Sequence, residues 1–317
     1  MSRILGIDTS NYTTSAALWE TGSRSIFSQR KLLAVPEGGR GLRQSEAVYQ
    51  HIRNLPELLE KLFAPGVAPL AAVGVSDRPR SASDSFMPCF EAGMAAARAV
   101  AAASGIPCRM FSHQAGHIAA ALFSARRLDL LERSFVAFHV SGGTTEAVLC
   151  TPDDSISPRM ERVARSLDLK AGQAVDRVGL MLGLAFPAGP ALDELAQMSE
   201  KHFAPRPSMR DGDCSLSGVE NQCARMLEKG EPPQDIARFC LESIRAALDG
   251  MVGAVRRRWP GIPIVFAGGV MSNTLLREYF GSLGGVVFAG PGYSADNACG
   301  IAVLAGLEER RASGEPD

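Results

Sequence analysis

The chain has 317 residues, a net charge of −1 and a hydrophobic fraction of 46%. This length allows two domains, each with its own core, and the composition is that of an ordinary globular protein. The near-neutral charge excludes a strongly basic protein that coats nucleic acid, but it leaves a local RNA contact open.

The cysteines and the apolar runs predict where the protein works. Seven scattered cysteines without a C-x-x-C pair predict a reduced, cytoplasmic protein. A first strand that begins at Ile4 leaves no room for a signal peptide. The Ala-rich run over 92–104 contains Arg98 and is too short to cross a bilayer, so no membrane contact is expected.

Apolar spacing predicts the elements of the first half of the chain. In chain order they are a β-hairpin or meander over 3–29, a helix over 46–63, a strand over 71–76, a helix over 89–104, a strand over 108–111 and a helix over 113–130 with Ser112 as its N-cap.

The second half begins with a strand at Phe135 and then alternates between helices and strands. Its predicted elements are helices over 172–184, 190–198, 217–228 and 236–259, a strand over 262–267, a helix from Asn273, a strand over 286–288 and a helix over 296–311, with a disordered tail over 312–317. Strands followed by alternating helices and strands, twice over, predict an α/β protein with two duplicated lobes.

Residues 6–18 match residues 137–149 without a gap. The identical pairs are Ser10/Ser141, Thr13/Thr144, Thr14/Thr145, Ala16/Ala147 and Leu18/Leu149. Each copy is predicted to be a buried strand, a tight turn of Gly, Ser and Thr, and a returning strand. Such turns present backbone N–H groups and hydroxyls, which suit phosphate. Two copies predict two lobes that hold one phosphate-bearing ligand between them.

His113 and His117 are four residues apart at the start of a predicted helix, so their imidazoles share one face and can reach one metal ion. The alternative is a pair of capping or surface groups. His139 ends the second copy's first strand, where Asp8 ends the first copy's. Asp296 could complete a ligand set, serve as the N-cap of the last helix, or do both. Gln114 rules out the H-E-x-x-H motif of zinc proteases.

Two further segments carry nucleotide-binding signals. Gly268 and Gly269 follow an apolar strand and open a helix, a geometry that suits either a nucleotide or simply a tight turn. Asp176 and Asp193 could accept hydrogen bonds from ribose hydroxyls or be exposed helix carboxylates. Three arginine clusters, 78/80, 126–127 and 256–258, are solvated helix ends or loops, or else contacts for RNA.

In combination these segments resemble the TsaD family of tRNA threonylcarbamoyladenosine synthases. The resemblance covers nearly the whole chain in order: residues 5–10, the two histidines, residues 140–145, 168–195, 216–218, 267–273 and 296–298. It implies the fold of the actin, sugar-kinase and heat-shock-chaperone ATPases (ASKHA), with lobes at 1–130 plus 297–317 and at 131–296 and a cleft between them.

The resemblance also implies roles for individual residues. Four of them, His113, His117, Asp296 and His139, would hold one divalent metal ion, with iron or zinc favoured. Asp8 and Ser10 are the candidate catalytic residues, and Asp8 is the carboxylate that a kinase on this scaffold would need near the γ-phosphate. The nucleotide or acyl-adenylate would contact His139, Val140, Ser141, Gly142, Gly143, Asp176, Gly189, Asp193, Gly269 and Asn273.

The implied reaction transfers a threonylcarbamoyl group from its adenylate to N6 of the adenosine next to the anticodon of tRNA. The implied partners are tRNA, a smaller paralogous protein and an ATPase. The chain departs from the family where Asn11, Tyr12 and Thr13 replace Cys-Asp-Glu and where Glu220 replaces a lysine. The alternatives are therefore another carbamoyltransferase or small-molecule kinase on the same scaffold, or a non-catalytic paralogue that binds nucleotide and partner.

Overall fold

The fold has two units of structure. The structure is a computed structural model and describes residues 3–10, 12–21, 25–35, 42–63, 69–81, 85–293 and 298–314. The first unit comprises Met1–Arg133, Pro152–Arg159 and Gly292–Asp317, and the second comprises Ser134–Thr151 and Met160–Pro291.

The secondary structure alternates between strands and helices along most of the chain. The strands are β1 (Arg3–Asp8), β2 (Thr13–Glu20), β3 (Ile26–Leu32), β4 (Leu70–Arg78), β5 (Cys108–Ser112), β6 (Phe135–Val140), β7 (Thr145–Thr151), β8 (Arg159–Arg165), β9 (Ser208–Arg210), β10 (Asp213–Ser215), β11 (Ile264–Ala267) and β12 (Val286–Phe288). The helices are α1 (Gln44–Leu62), α2 (Phe90–Ser104), α3 (His113–Ser124), α4 (Ala171–Met181), α5 (Gly189–Gln197), α6 (Ser217–Glu228), α7 (Pro233–Arg258), α8 (Thr274–Gly281) and α9 (Cys299–Ser313).

The first unit is built on a five-stranded sheet in the order β3-β2-β1-β4-β5. The strand β1 pairs antiparallel with β2 and parallel with β4, which in turn pairs parallel with β5. The carboxyl ends of the three parallel strands therefore lie at one edge of the sheet. In open α/β sheets this edge is where ligands bind.

The second unit repeats this arrangement with the order β8-β7-β6-β11-β12. Here β6 corresponds to β1, because it pairs antiparallel with β7 and parallel with β11. The register of the two hairpins is also the same. Asp8 lies opposite Ser15 in the first, and His139 lies opposite Glu146 in the second. The predicted duplication is thus confirmed in the strand pairing as well as in the sequence.

Each sheet is buried against helices. In the first unit, Leu5 and Ile7 of β1 pack with Leu58 of α1 in one apolar cluster. In the second, Phe138 and Phe266 are fully buried, with ring centroids 4.9 Å apart. Each such side chain stabilises the fold by roughly 1.5–3 kcal/mol. These cores hold the strand ends, and therefore the residues that follow them, in fixed positions.

Some predicted elements differ from the structure. The helix expected over 113–130 ends at Ser124, because Arg126 takes a left-handed conformation with φ of 57° and a 3-10 helix follows at Leu128–Glu132. The tail expected to be disordered from residue 312 is helical through Ser313. The sequence patterns did not predict β8 or the β9–β10 hairpin.

Within the described ranges, none of the helices has the length and apolar character that crossing a membrane requires.

Candidate metal centre and phosphate-binding turn

The two histidines of the first unit are positioned by the junction of β5 and α3. Ser112 is the N-cap of α3, since its Oγ accepts a hydrogen bond from the backbone N–H of Ala115 at 3.2 Å. The predicted cap is confirmed. Because α3 begins at His113, His117 lies one turn further along the same face of the helix.

The imidazoles of His113 and His117 converge. Their Nε2 atoms are 2.9 Å apart, and the ring centroids are separated by 4.3 Å. Such a contact needs a proton on one nitrogen or a cation shared by both. Two nitrogen ligands of one tetrahedral metal ion, each at about 2.05 Å, lie about 3.3 Å apart. The pair therefore needs to open by only about 0.4 Å to hold a metal.

Asp8 lies behind His113. Its Oδ2 is 2.7 Å from Nδ1 of His113, while its Oδ1 accepts hydrogen bonds from Oγ of Ser76 at 2.7 Å and from the backbone N–H of Ser10 at 2.9 Å. Asp8 as a whole is 1% exposed. Asp8 is the last residue of β1, and Ser76 lies on the neighbouring parallel strand β4. The carboxyl ends of the parallel strands therefore bring Asp8 and Ser76 close to His113, which follows β5.

The charge state of Asp8 follows from this environment. Burial by itself raises the pKa of the Asp8 carboxyl, but the charge and hydrogen bond of His113 and the hydrogen bond from Ser76 outweigh it. The net effect lowers the pKa to about 2. Asp8 is therefore a carboxylate at neutral pH.

Asp296 lies outside the described residues. Among the residues that are described, no three His, Cys, Asp or Glu side chains surround a common point that could hold a metal ion. The first unit does contain two histidine Nε2 atoms, of His113 and His117, whose spacing fits two ligands of one metal ion. The carboxylate of Asp8 on Nδ1 of His113 is also typical of a metal-binding histidine.

Ser10 belongs to the turn of the first hairpin. Its carbonyl accepts a hydrogen bond from the N–H of Thr13 at 3.2 Å, which closes the turn. The Ser10 side chain is 2% exposed, and its Oγ has no hydrogen-bond partner among the described residues. Asn11, the next residue, lies outside them.

The corresponding turn of the second unit joins β6 to β7. The N–H of Ser141 donates to the carbonyl of Thr144 at 2.7 Å, and the N–H of Thr144 donates to Oγ of Ser141 at 3.1 Å. Gly142 and Gly143 occupy the tip, where a side chain would meet nothing within 4 Å. Val140 precedes the turn and is buried. The tip is thus open on the side where side chains would lie, and a turn of this kind can present backbone N–H groups to an anion.

The N-terminus of α4 abuts this turn. The N–H of Gly172 donates to the carbonyl of Ser141 at 3.1 Å, and the N–H of Ala171 donates to Oγ1 of Thr145 at 2.9 Å. A Cβ at Gly172 would lie 2.6 Å from the backbone nitrogen of Gly142, so only glycine allows this approach. The positive end of the α4 dipole adds to the attraction for an anion.

Asp176 and Gly189 lie close together at the start of α5. Oδ1 of Asp176 accepts the N–H of Ala188 at 2.9 Å, which leaves Oδ2 for another donor. Gly189 begins α5 directly after Ala188. A Cβ at Gly189 would meet only Cγ1 of Val175, at 4.0 Å, so the backbone there is open to a ligand.

Asp193 and Asn273 are joined through α8. Oδ2 of Asp193 accepts hydrogen bonds from the N–H and Oγ1 of Thr274, at 2.9 and 3.0 Å, and its buried Oδ1 has no partner among the described residues. Oδ1 of Asn273 caps α8 by accepting the N–H of Leu276 at 3.1 Å. The Asn273 amide is therefore oriented with its NH₂ group away from the cap.

His139 and Gly269 lie at the carboxyl ends of neighbouring strands. His139 is half-buried and pairs in register with Ala267 of β11. Gly268 has φ of 101°, and a Cβ there would overlap the carbonyl oxygen of Val140. A Cβ at Gly269 would meet nothing within 4 Å. The glycine pair thus forms a tight turn and also leaves an open backbone surface.

Two polar residues with positioning contacts were not singled out from the sequence. Ser76 holds Asp8, and its signal was a hydroxyl at the end of an apolar strand. Asp168 accepts hydrogen bonds from the N–H groups of Leu169, Leu216 and Ser217 and from Oγ of Ser217. Nothing in the local sequence links Asp168 to residues 216–217.

Comparison with known proteins shows similarity to the TsaD family along most of the chain. The TsaD family, described as tRNA N6-adenosine threonylcarbamoyltransferase, matches residues 23–303. Proteins of that name from Bacillus licheniformis and Thermus thermophilus are 30% and 29% identical to this chain. The Bacillus alignment covers 86% of this chain and 80% of the relative, and the Thermus alignment 97% and 93%.

Solved structures that share the fold are more distant in sequence. Full-length HypF superposes with a TM-score of 0.60 at 14% identity, over 99% of this chain and 56% of HypF. Component A of (R)-2-hydroxyglutaryl-CoA dehydratase from Acidaminococcus fermentans gives 0.54 at 15% identity, over 99% of this chain and all of that protein. The fold is thus that of the ASKHA ATPases and kinases, and the match along the sequence shows that the chain belongs to the TsaD family.

Proposed function

We propose that this chain transfers a threonylcarbamoyl group from its adenylate to N6 of the adenosine next to the anticodon of tRNA. The observation that carries the proposal is the family match over residues 23–303, together with relatives of that name aligned over most of their own length. The geometry of the second unit supports it, because an acyl-adenylate has a phosphate, a ribose and an adenine to be bound.

The phosphate of the adenylate binds at the turn between β6 and β7. The N–H groups of Gly142 and Gly143 are the donors at the open tip, and Gly172 brings the N-terminus of α4 against the turn. Backbone N–H groups and a helix N-terminus together stabilise a negative charge. The same donors stabilise the charge that the phosphate gains as the acyl group leaves.

The ribose binds at the carboxylates of Asp176 and Asp193, and the adenine binds at the side-chain amide of Asn273. Asp176 and Asp193 are the proposed acceptors for ribose hydroxyls, and Oδ2 of Asp176 is left for such a donor because its Oδ1 accepts the N–H of Ala188. The NH₂ group of Asn273 donates to a ring nitrogen of the adenine, because its oxygen caps α8. Open backbone at Gly189 and Gly269 allows the nucleoside to approach closely.

His113 and His117 hold one divalent metal ion, which we infer to be iron or zinc from the imidazole ligands. Asp296, and His139 by the family resemblance, are the further ligands that we propose. When bound, the ion polarises acyl or phosphate oxygens as a Lewis acid.

The reaction forms a C–N bond between the carbamoyl carbon and N6, and it breaks the bond from that carbon to the phosphate oxygen. AMP leaves with the bonding electron pair, and N6 loses one proton. No covalent intermediate on the protein is needed, so the residues act by holding the two substrates in line and by excluding water.

We further infer that tRNA is the acceptor substrate and that a smaller paralogous protein and an ATPase are the partners, as in the family. A cytoplasmic location is supported by the cysteines, all seven of which are free thiols.

The test is a reconstituted reaction with unmodified tRNA, the acyl-adenylate, a divalent metal and the partner proteins of a family member, with the modified nucleoside measured by mass spectrometry. Product that is lost in His117→Ala and kept in His202→Ala, an exposed histidine outside the matched motifs, supports the proposal. Absence of product with intact nucleotide binding would indicate a non-catalytic paralogue. Transfer of phosphate from ATP to a metabolite would indicate a kinase.

A further inference from the structure

We propose that Asp8 is a positioning residue that fixes the tautomer of His113, so that Nε2 of His113 carries the lone pair that binds the metal. The inference rests on the metal site of the proposed function and assigns to Asp8 a task that acts through another side chain. Three contacts within the first unit carry it.

The first is the short contact between Oδ2 of Asp8 and Nδ1 of His113, at 2.7 Å. A carboxylate only accepts, so the proton of this hydrogen bond is on Nδ1. The second nitrogen, Nε2, is then without a proton in the neutral imidazole. A histidine binds a metal through a nitrogen lone pair, and a carboxylate on the opposite nitrogen is the usual way in which proteins set that orientation.

The other two contacts hold the carboxylate itself. Oδ1 of Asp8 accepts from Oγ of Ser76 and from the N–H of Ser10, at 2.7 and 2.9 Å. Because its side chain is only 2% exposed, Asp8 is fixed in one rotation and shielded from solvent. It therefore reaches the reacting groups only through His113, whose Nε2 faces Nε2 of His117.

This arrangement predicts an unusual effect of Asp8→Asn. Ser76 and Ser10 both donate, so the amide oxygen of the asparagine takes the place of Oδ1 and its NH₂ group faces Nδ1 of His113. Nδ1 must then accept, and the proton moves to Nε2. The substitution keeps the shape of the side chain but gives His113 a proton on Nε2, so that this nitrogen cannot bind a metal.

The first experiment is a titration of the metal-stripped full chain with Co²⁺, followed by the visible absorption of the bound ion. The expected result for Asp8→Asn is an affinity about 10-fold to 100-fold weaker than that of the parent. Asp235→Asn is the matched control. Asp235 is also buried and accepts a serine hydroxyl, from Ser199 at 2.6 Å, but it pairs with Lys201 instead of a histidine. Its Co²⁺ affinity should equal the parent's.

The second experiment does not depend on a variant that folds. In the parent chain, stripped of metal and labelled with ¹⁵N-histidine, NMR should show the neutral ring of His113 protonated on Nδ1. A proton on Nε2, or equal Co²⁺ affinity in Asp8→Asn and the parent, would overturn the assignment of Asp8 while leaving the metal site standing. A parent chain that binds no Co²⁺ would overturn both.

Discussion

Oδ2 of Asp168 accepts a hydrogen bond from Oγ of Ser217 at 2.6 Å, across 49 residues of sequence. Together with the N–H of Leu216, which reaches Oδ1 of Asp168 at 2.7 Å, this contact ties the segment before α4 to the start of α6. That segment leads into the N-terminus of α4, which contacts the turn between β6 and β7. The hydrogen bonds of Asp168 therefore help to hold the helix end that packs against the proposed phosphate site.

Replacing Asp168 by alanine should lower the free energy of unfolding by about 1–2 kcal/mol, because the backbone donors lose a charged acceptor but remain partly accessible to water. Urea denaturation followed by circular dichroism measures the change. Asp129→Ala is the control, since Asp129 is an exposed partner of Arg127, and such pairs contribute little. Equal losses in both variants would contradict the prediction.

The same carboxylate predicts a pH dependence of stability. Burial raises the pKa of Asp168, but the hydrogen bonds from Ser217, Leu216 and Leu169 outweigh it, so the folded-state pKa lies below the ordinary value. A lowered folded-state pKa gives stability that is complete above the unfolded-state pKa of about 4 and is lost as the pH falls through the folded-state value. Asp168→Asn should therefore lose less stability than the parent between about pH 6 and about pH 3. Parallel curves for the two proteins would refute this.

Gly172→Ala should weaken the binding of adenine nucleotides by about 10-fold or more. The added Cβ would lie 2.6 Å from the nitrogen and 2.7 Å from the Cα of Gly142, and these are backbone atoms that cannot move without moving the turn. Calorimetric titration with AMP measures the effect. Gly218→Ala, in the first turn of α6, is the control because a Cβ there meets nothing within 4 Å, and its affinity should match that of the parent.

The contact of α3 with α9 allows a matched pair of glycine substitutions. A Cβ at Gly300 would overlap the carbonyl oxygen of Gly116, whereas a Cβ at Gly116 would meet side-chain carbons of Ile301, Cδ1 at 2.9 Å and Cγ1 at 3.0 Å. A side-chain end can rotate away, and a helix backbone cannot. Gly300→Ala should therefore lower the free energy of unfolding by about 3 kcal/mol, and Gly116→Ala by about 1 kcal/mol or less. Urea titrations of the two variants decide it, and a larger loss in Gly116→Ala would reverse the argument.

Local patterns were enough to predict most of the elements. The hairpins followed from the repeat of residues 6–18, and Ser112 was identifiable as an N-cap from its residue type and place. The β9–β10 hairpin also has a local signal in its turn. Asp211 and Gly212 both have positive φ at its turn, and Asp-Gly is a favoured pair in such turns.

Other features have no local signal. β8 is an edge strand that carries several charged residues. These charges interrupt the alternation of apolar and polar residues by which a strand is recognised in a sequence. The contact of Asp8 with His113 spans 105 residues and arises only because β1, β4 and β5 end at the same edge. The early end of α3 depends on Arg126 in a conformation that its residue type does not favour.

The shared register of the two hairpins has a consequence for the history of the molecule. A single ancestral gene for one half, copied and fused in tandem, would yield two sheets with the same strand order and the same cross-strand neighbours. Because the register is kept, equivalent positions still occupy the same place in each hairpin, as Asp8 does in the first and His139 in the second. Duplication of this kind would let one framework carry an acid at that place in one copy and an imidazole in the other.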